Sequence, residues 1–291
     1  MARQVTVAAA QTGRVGEETP DAHLGKAQGL IEAAAERGAS VVLFSELFLS
    51  PFFPNRLRED FDRFFMEEND PVLREIASTA ERCGIAAIIP FAEKSVSGYY
   101  NSTIVYDRRG DAVGIYRKTH IPAYLPNDRP GGTGSFEKLY FAPGVELPVF
   151  SLDGFKFGIQ ICNDRLYPEG SRVLALKGAD LIFMPICYST YSDPQHRATI
   201  WDVPLRARAY ENGVYVVAAN RVGQEGERHH LGRSMIVDPR GSILAEASSE
   251  TEDLITHTID LDLVTQARKS FPWWRDRRPD LYGSLVGGPQ A

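Results

Sequence analysis

Apolar residues fall into short unbroken runs that alternate with amphipathic stretches, and each kind of run predicts its own element. Residues 5–10 form a short run that is apolar except for Thr6 and read as a buried strand. Residues 21–37 carry apolar side chains at helical spacing, and Gly38 closes the stretch, which predicts a helix. Val41–Phe44 is then a second buried strand. Pro71 fits the first turn of a helix over 71–82, with Asp70 as N-cap and Gly84 as stop, and 85–91 returns to a strand. Strand, helix, strand in this order predicts an α/β architecture whose sheets are covered by helices.

Two stretches of the first half return in the second. Arg37-Gly38-Ala39-Ser40-Val41-Val42-Leu43-Phe44 resembles Lys177-Gly178-Ala179-Asp180-Leu181-Ile182-Phe183-Met184, a helix-closing glycine feeding a buried strand. Ile104-Val105-Tyr106-Asp107-Arg108-Arg109-Gly110 resembles Met235-Ile236-Val237-Asp238-Pro239-Arg240-Gly241, a strand broken by an Asp-x-Arg-Gly turn. The offsets are 140 and 131 residues, so the order of parts is kept. The pattern predicts two similar halves, each with a sheet and outer helices, the sheets packing face to face in a single domain over 1–291.

Composition narrows the classes. The 291 residues are 43% hydrophobic and 24% charged, which fits a folded globular chain. Acidic residues number 38 against 32 basic, a net charge of −6 that lacks the basic footprint of a nucleic-acid binder. The longest apolar runs, 85–92 and 181–188, fall well short of the roughly 20 residues a membrane-spanning helix needs. The start of the chain leads straight into a strand, without the apolar core of a signal peptide. Three widely spaced cysteines, Cys83, Cys162 and Cys187, fit free thiols in a reducing compartment, so a cytoplasmic protein is expected. The six histidines, His23, His120, His196, His229, His230 and His257, show no paired ligand spacing, and no metal or cofactor is expected.

Reactive groups gather where strands end. Glu46 comes two residues after Val41–Phe44, Lys118 ends the run 112–117, and Cys162 ends a strand expected over 155–161. A thiol, a carboxylate and an ammonium suffice for covalent acyl transfer: the thiolate attacks, the carboxylate moves protons, the ammonium stabilises charge on oxygen. Each also has an ordinary structural reading, as a buried small hydrophobe for Cys162, a solvated strand-end carboxylate for Glu46 and a surface-loop cation for Lys118. Cys162 stands out because Asn163-Asp164-Arg165 follows at once, and Pro168-Glu169 then opens a helix over 168–177. Such a strand–turn–helix lifts the sulfur above the sheet and offers backbone N–H groups to negative charge. Cys187 reads as a site-wall or core residue, and Cys83, before Gly84, as structural.

Ser45-Glu46-Leu47-Phe48, Arg117-Lys118-Thr119-His120 and Ile161-Cys162-Asn163-Asp164-Arg165 with Pro168-Glu169 together resemble the nitrilase superfamily of carbon–nitrogen hydrolases. The resemblance implies a four-layer αββα sandwich and a Glu-Lys-Cys triad on Glu46, Lys118 and Cys162. It also implies a supporting glutamate at Glu137, from the segment Phe136-Glu137-Lys138-Leu139-Tyr140-Phe141-Ala142-Pro143-Gly144. Cys-Asn-Asp-Arg is similar to the branch that holds N-carbamoyl-D-amino acid amidohydrolases, where the motif's arginine grips the substrate carboxylate. Arg165 is therefore expected to clamp a carboxylate through two parallel hydrogen bonds, or else to pair with Asp164 or Glu169. Asn163, His120 and Cys187 complete the expected substrate contacts.

The chain departs from that branch at Leu166, where the branch carries a further arginine, and at Cys187, where it carries an asparagine. The resemblance thus implies removal of the carbamoyl group of an N-carbamoyl amino acid, with an amidase, an N-carbamoylputrescine-type carbamoyl-amine hydrolase or a nitrilase on the same triad as the alternative. A metal-dependent amidohydrolase and a catalytically silent binding protein are the other classes weighed. The loop 123–135 is expected to cover the pocket. The aromatic-rich tail 265–291 is expected to pack at the interface of a homodimer or homotetramer.

Overall fold

The apolar runs become strands, in chain order, and the amphipathic stretches become helices laid against them. The structure, a computed structural model, describes residues 3–123, 135–190, 193–226 and 228–287. The first half runs β1 (Gln4–Gln11), α1 (Leu24–Glu36), β2 (Val41–Phe44), β3 (Phe65–Met66), α2 (Pro71–Cys83), β4 (Ala86–Ser95), β5 (Gly98–Tyr106) and β6 (Ala112–Arg117). The second half opens with α3 (Glu137–Tyr140), β7 (Phe150–Leu152), β8 (Phe155–Ile159), α4 (Pro168–Leu176) and β9 (Leu181–Ile186). It continues through α5 (Pro194–Thr199), α6 (Asp202–Asn212), β10 (Tyr215–Asn220), a hairpin of β11 (Val222–Glu225) and β12 (Arg228–Leu231), β13 (Met235–Val237) and β14 (Ile243–Glu246). β15 (Asp253–Asp260) returns to the first sheet, and α7 (Asp262–Ser270) follows.

Capping follows the sequence. Asp70 accepts a hydrogen bond from the Val72 backbone N–H, Pro71 occupies the first turn of α2, and Gly84 closes it in the left-handed region at φ 66°. Two expectations shift. The stretch 21–37 starts with a 3-10 turn over Pro20–His23 before α1 begins at Leu24. The strand expected over 155–161 ends at Ile159, because Cys162 turns the chain into the left-handed region at φ 49°.

The sheet orders are β15-β1-β2-β4-β5-β6, with β3 pairing β4 off this path, and β7-β8-β9-β10-β13-β14. Written side by side, the two orders align strand for strand. β2 and β9 sit between parallel neighbours, and each lies just after the glycine of the first echo, Gly38 at φ 74° and Gly178 at φ 94°. The second echo forms equivalent turns. Asp107 Oδ1 accepts from the N–H groups of Arg109 and Asp111, and Asp238 Oδ1 from those of Arg240 and Ser242. The strand leading into each turn carries a register shift.

Period-two alternation sorts side chains into layers. Val7 and Ala9 point inward with Val41, Leu43 and Ile88 to meet Phe157, Ile159, Phe183 and Val217 of the other sheet. Ala8 and Ala10 point outward onto Ala27, Ile31 and Ala34 of α1 and, with Val42, onto the Leu73 and Ile76 face of α2. On the far side Ile182, Met184 and Val216 are covered by Leu174 of α4 and Leu205 and Ala209 of α6. The layers are helix, sheet, sheet, helix. At Gly158 a Cβ would fall 2.5 Å from Leu174, so glycine is what lets α4 settle this close to β8.

Two further expectations concern segments outside the core. Residues 124–134 of the loop expected over the pocket lie outside the described residues. The tail aromatics pack on their own chain: the Arg172 guanidinium of α4 sits 3.8 Å above the Trp273 ring, and Phe271 stacks on Tyr210 of α6 at 6.0 Å. No helix among the described residues is long and apolar enough to cross a membrane.

Candidate active site

Lys118 follows the last residue of β6, where its backbone N–H donates to the Asn101 carbonyl (2.8 Å), so its side chain is delivered from a sheet edge into the interior. The ammonium is fully buried and lies between two carboxylates, 2.8 Å from Glu46 Oε1 and 2.6 Å from Glu137 Oε2. Burial alone pushes a lysine's pKa down. The carboxylates of Glu137 and Glu46 more than reverse this, and Lys118 is held well above its ordinary value as a fixed cation.

The two carboxylates are bound differently. Glu137, in the first turn of α3, has both oxygens engaged, Oε1 by the Ser135 hydroxyl (3.1 Å) and Oε2 by Lys118. Burial and the nearby Glu46 charge raise its pKa against the pull of Lys118. Glu46 shares Oε1 between Lys118 and the Asn101 side-chain amide, 2.8 Å each. Its Oε2 is buried and receives no hydrogen bond from any described residue. Glu46 is thus the carboxylate with a lone pair left for a reacting group.

Cys162 opens a short 3-10 helix (Cys162–Leu166) at φ 49°, a region that non-glycine residues enter at a cost. Asp164 over-determines that turn. It is fully buried and accepts from the Ile161 backbone N–H (2.8 Å) and the Tyr116 hydroxyl (2.7 Å) on one oxygen. The other oxygen takes the His120 backbone N–H (2.9 Å) and the Thr119 hydroxyl (3.1 Å). Asp164 therefore ties the Cys162 turn to the segment that follows Lys118. Burial, with the Glu46 charge, pushes the Cys162 thiol up to about 12, and Lys118 and Arg165 only partly offset this. At neutral pH such a sulfur is a protonated thiol, not the pre-formed thiolate that a strand–turn–helix setting suggests, and it can act as a nucleophile only with a base beside it.

Cys162 opens onto a cavity of about 400 Å³ that is also lined by Glu137, Asn163, Arg165 and Cys187. A larger open groove, about 1110 Å³, lies along α2 and the β5–β6 turn and holds none of Glu46, Lys118 and Cys162. The Asn163 side chain donates to the His120 carbonyl (3.0 Å), while its backbone N–H sits in the first turn of the 3-10 helix, where N–H groups lack intrahelical partners. Arg165 does not pair with Asp164 or Glu169. Its Nη1 donates to the Cys162 carbonyl (2.6 Å) and lies 3.8 Å from Cys162 Sγ, and its plane rests 5.0 Å from the Tyr188 ring.

His120 is absent from the cavity lining. Its Nδ1 lies 2.8 Å from Asp164 and its ring stacks on Tyr167 at 4.0 Å. Cys187 does line the cavity, buried, with its sulfur 3.7 Å from His230 Nδ1. Burial pushes the Cys187 thiol up and the His230 imidazole down, so this second pair is neutral. Sequence reading missed Asn101, the hub role of Asp164 and Arg221. The available signal was polarity inside apolar strands: Asn101-Ser102-Thr103 interrupts β5, and Asn220-Arg221 ends the run of β10. Among the described residues no group of three or more His, Cys, Asp or Glu side chains is placed to hold a metal ion.

A family model described as carbon–nitrogen hydrolase matches residues 6–269. An N-carbamoylputrescine amidase of Arabidopsis thaliana is 35% identical over 274 residues, covering 89% of this chain and 88% of that protein. A citrullinase of Francisella tularensis subsp. tularensis is 31% identical, covering 91% and 92%. The crystal structure of a carbon–nitrogen hydrolase from Helicobacter pylori superposes with a TM-score of 0.89 at 27% identity, covering 98% and 99%.

Proposed function

The chain belongs to the carbon–nitrogen hydrolase family, and from that premise we propose that it hydrolyses the carbamoyl C–N bond of a small N-carbamoyl compound through a covalent intermediate on Cys162. The observation that carries the proposal is the fully buried Lys118 ammonium between Glu46 and Glu137 beside a protonated thiol, with one Glu46 oxygen left open. Glu46 takes the Cys162 proton as the sulfur attacks the carbamoyl carbon. Charge developing on the carbonyl oxygen is met by the Lys118 ammonium and the Asn163 backbone N–H. Collapse of the adduct expels ammonia, which leaves with the proton held by Glu46. Water then gives a proton to Glu46 and attacks the acyl-enzyme, freeing the thiol and a carbamate that falls to amine and carbon dioxide. Glu137, with both oxygens occupied, holds Lys118 in place.

The relatives named for N-carbamoylputrescine and for citrulline support a ureido group as the reacting end. The N-carbamoylputrescine amidases among them favour an N-carbamoyl amine over the N-carbamoyl amino acid suggested by Cys-Asn-Asp-Arg. One observation favours the acid as a second reading. Arg165 is 3% exposed, lines the cavity and donates to the Cys162 carbonyl, but has no carboxylate within ion-pair distance among the described residues, and a buried charge without a counter-charge is costly. An ammonia-release screen over N-carbamoyl amines, N-carbamoyl D-, L- and β-amino acids, amides and nitriles tests both. With an acidic substrate Arg165→Ala raises KM about tenfold or more, whereas with an amine it leaves KM within about twofold. No ammonia from any carbamoyl compound defeats the proposal. We further propose that residues 1–291 act as one catalytic domain in the cytoplasm, assembling as a homodimer or homotetramer through 265–291. Phe271, Leu285 and Val286 are exposed there, and light scattering with and without the tail checks it.

A further inference from the structure

We infer that Arg221 is a positioning residue for the base, holding Glu46 through the turn that follows it. The inference rests on the assignment of Glu46 as the group that takes the Cys162 proton. Arg221 stands just past β10, in the second half of the chain, and is fully buried. Its Nη2 donates to three carbonyls of the first half, Glu46 (3.2 Å), Leu47 (2.8 Å) and Ser50 (3.0 Å). Its Nη1 donates to Glu225 Oε2 (2.6 Å), and Glu225 Oε1 accepts the Phe52 backbone N–H (2.5 Å). One buried ion pair therefore grips the 46–52 turn at both ends, and Phe52 beyond it lines the cavity.

The turn needs a grip. Leu47 sits at φ 52°, where a bulky residue is strained and stays only if its surroundings over-determine it. The Glu46 N–H donates to the Ile186 carbonyl (3.3 Å), so the second sheet fixes the peptide before the strained residue, and Arg221 fixes the peptides after it. Lysine carries its donors on one nitrogen and cannot span Glu225 and three carbonyls as a planar guanidinium does. With Arg221 gone, the relaxed path returns Leu47 to negative φ and swings the open Glu46 oxygen away from Cys162. A shift of about 1 Å in a reacting group costs about 10²-fold in rate.

The test compares Arg221→Lys, Glu46→Gln and the double variant by ammonia release and by iodoacetamide alkylation of Cys162, located by peptide mass. Arg221→Lys should lower kcat about 10²-fold with KM within about threefold, and slow alkylation in proportion. In the Glu46→Gln background it should slow alkylation no further, since Arg221 acts only through Glu46. A folded Arg221→Lys enzyme with wild-type kcat overturns the inference, as does equal slowing with and without Glu46, which a general loss of structure would give. If Arg221→Lys does not fold, Glu225→Gln loosens the same pair. Its kcat should fall about tenfold, again only when Glu46 is present, and a wild-type kcat overturns the inference. Full activity in Glu46→Gln alone would instead remove the base assignment and leave the turn's geometry untouched.

Discussion

Replacing Lys118 with methionine removes the cation between two buried carboxylates while keeping the side chain's length. At 2.8 Å and 2.6 Å the ammonium attracts Glu46 and Glu137 by about 6 kcal/mol each at an effective dielectric of about 20. Much of that offsets the desolvation of three ions, so the net cost of losing the shared partner is about 3–5 kcal/mol. For a chain of this size each kcal/mol moves Tm by about 2 °C, giving a drop of about 6–10 °C. The pH dependence is specific. Burial and the Glu46 charge already raise the Glu137 carboxyl, and without Lys118 the pull that opposed them is gone, so its folded pKa rises further above the unfolded one. Below the unfolded value Glu137 is neutral in either state and its penalty vanishes. As pH rises through the raised folded value the penalty grows to its full size. Calorimetry of Lys118→Met against the parent should therefore show a gap in Tm that narrows steadily from pH 8 to pH 5. A gap that is absent, or that does not change with pH, refutes the reasoning.

Asp164→Ala leaves the Ile161 and His120 N–H groups and the Tyr116 hydroxyl without their acceptor, and should cost about 3–5 kcal/mol in urea unfolding. A cost below about 1 kcal/mol would mean the Cys162 turn holds itself. Because the thiol lies near 12, alkylation of Cys162 in the free enzyme should keep accelerating from pH 7 to pH 10. A plateau near the ordinary thiol value, about 8.5, would show that burial does not dominate there. Glu137→Gln keeps the hydrogen bond to Lys118 but drops one charge, and should lower kcat about 10-fold or more while KM moves little, as stopped assays of ammonia release would show.

Much of the fold was legible because its rules are local. The mostly apolar run over 5–10 marked β1 as a buried strand, and the two echoes matched strands that occupy equivalent places in the two sheets. The candidate triad was reachable because its members stand just past strand ends, and family motifs added Glu137. What stayed hidden is long-range. Asn101 meets Glu46 across 55 positions, and Arg221 meets Leu47 across 174, and no periodicity in either segment encodes a partner so far away. His120 was drawn into the site by its place beside Lys118. Side chains of close sequence neighbours past a strand need not share a direction, and the His120 ring meets Asp164 and Tyr167 instead of the cavity lining. The strand over 155–161 was read too long because Ile161 is apolar, and only the positive φ at Cys162 ends it.

The central claim is that one thiol, Cys162, carries the substrate's acyl group. Acid-quenched turnover with an accepted N-carbamoyl compound, followed by peptide mass mapping, tests it most directly. The expected result is a single adduct on Cys162 equal to the substrate less one ammonia, lost in Cys162→Ala together with ammonia release. An adduct on Cys187, or ammonia release that persists undiminished in Cys162→Ala, would contradict it.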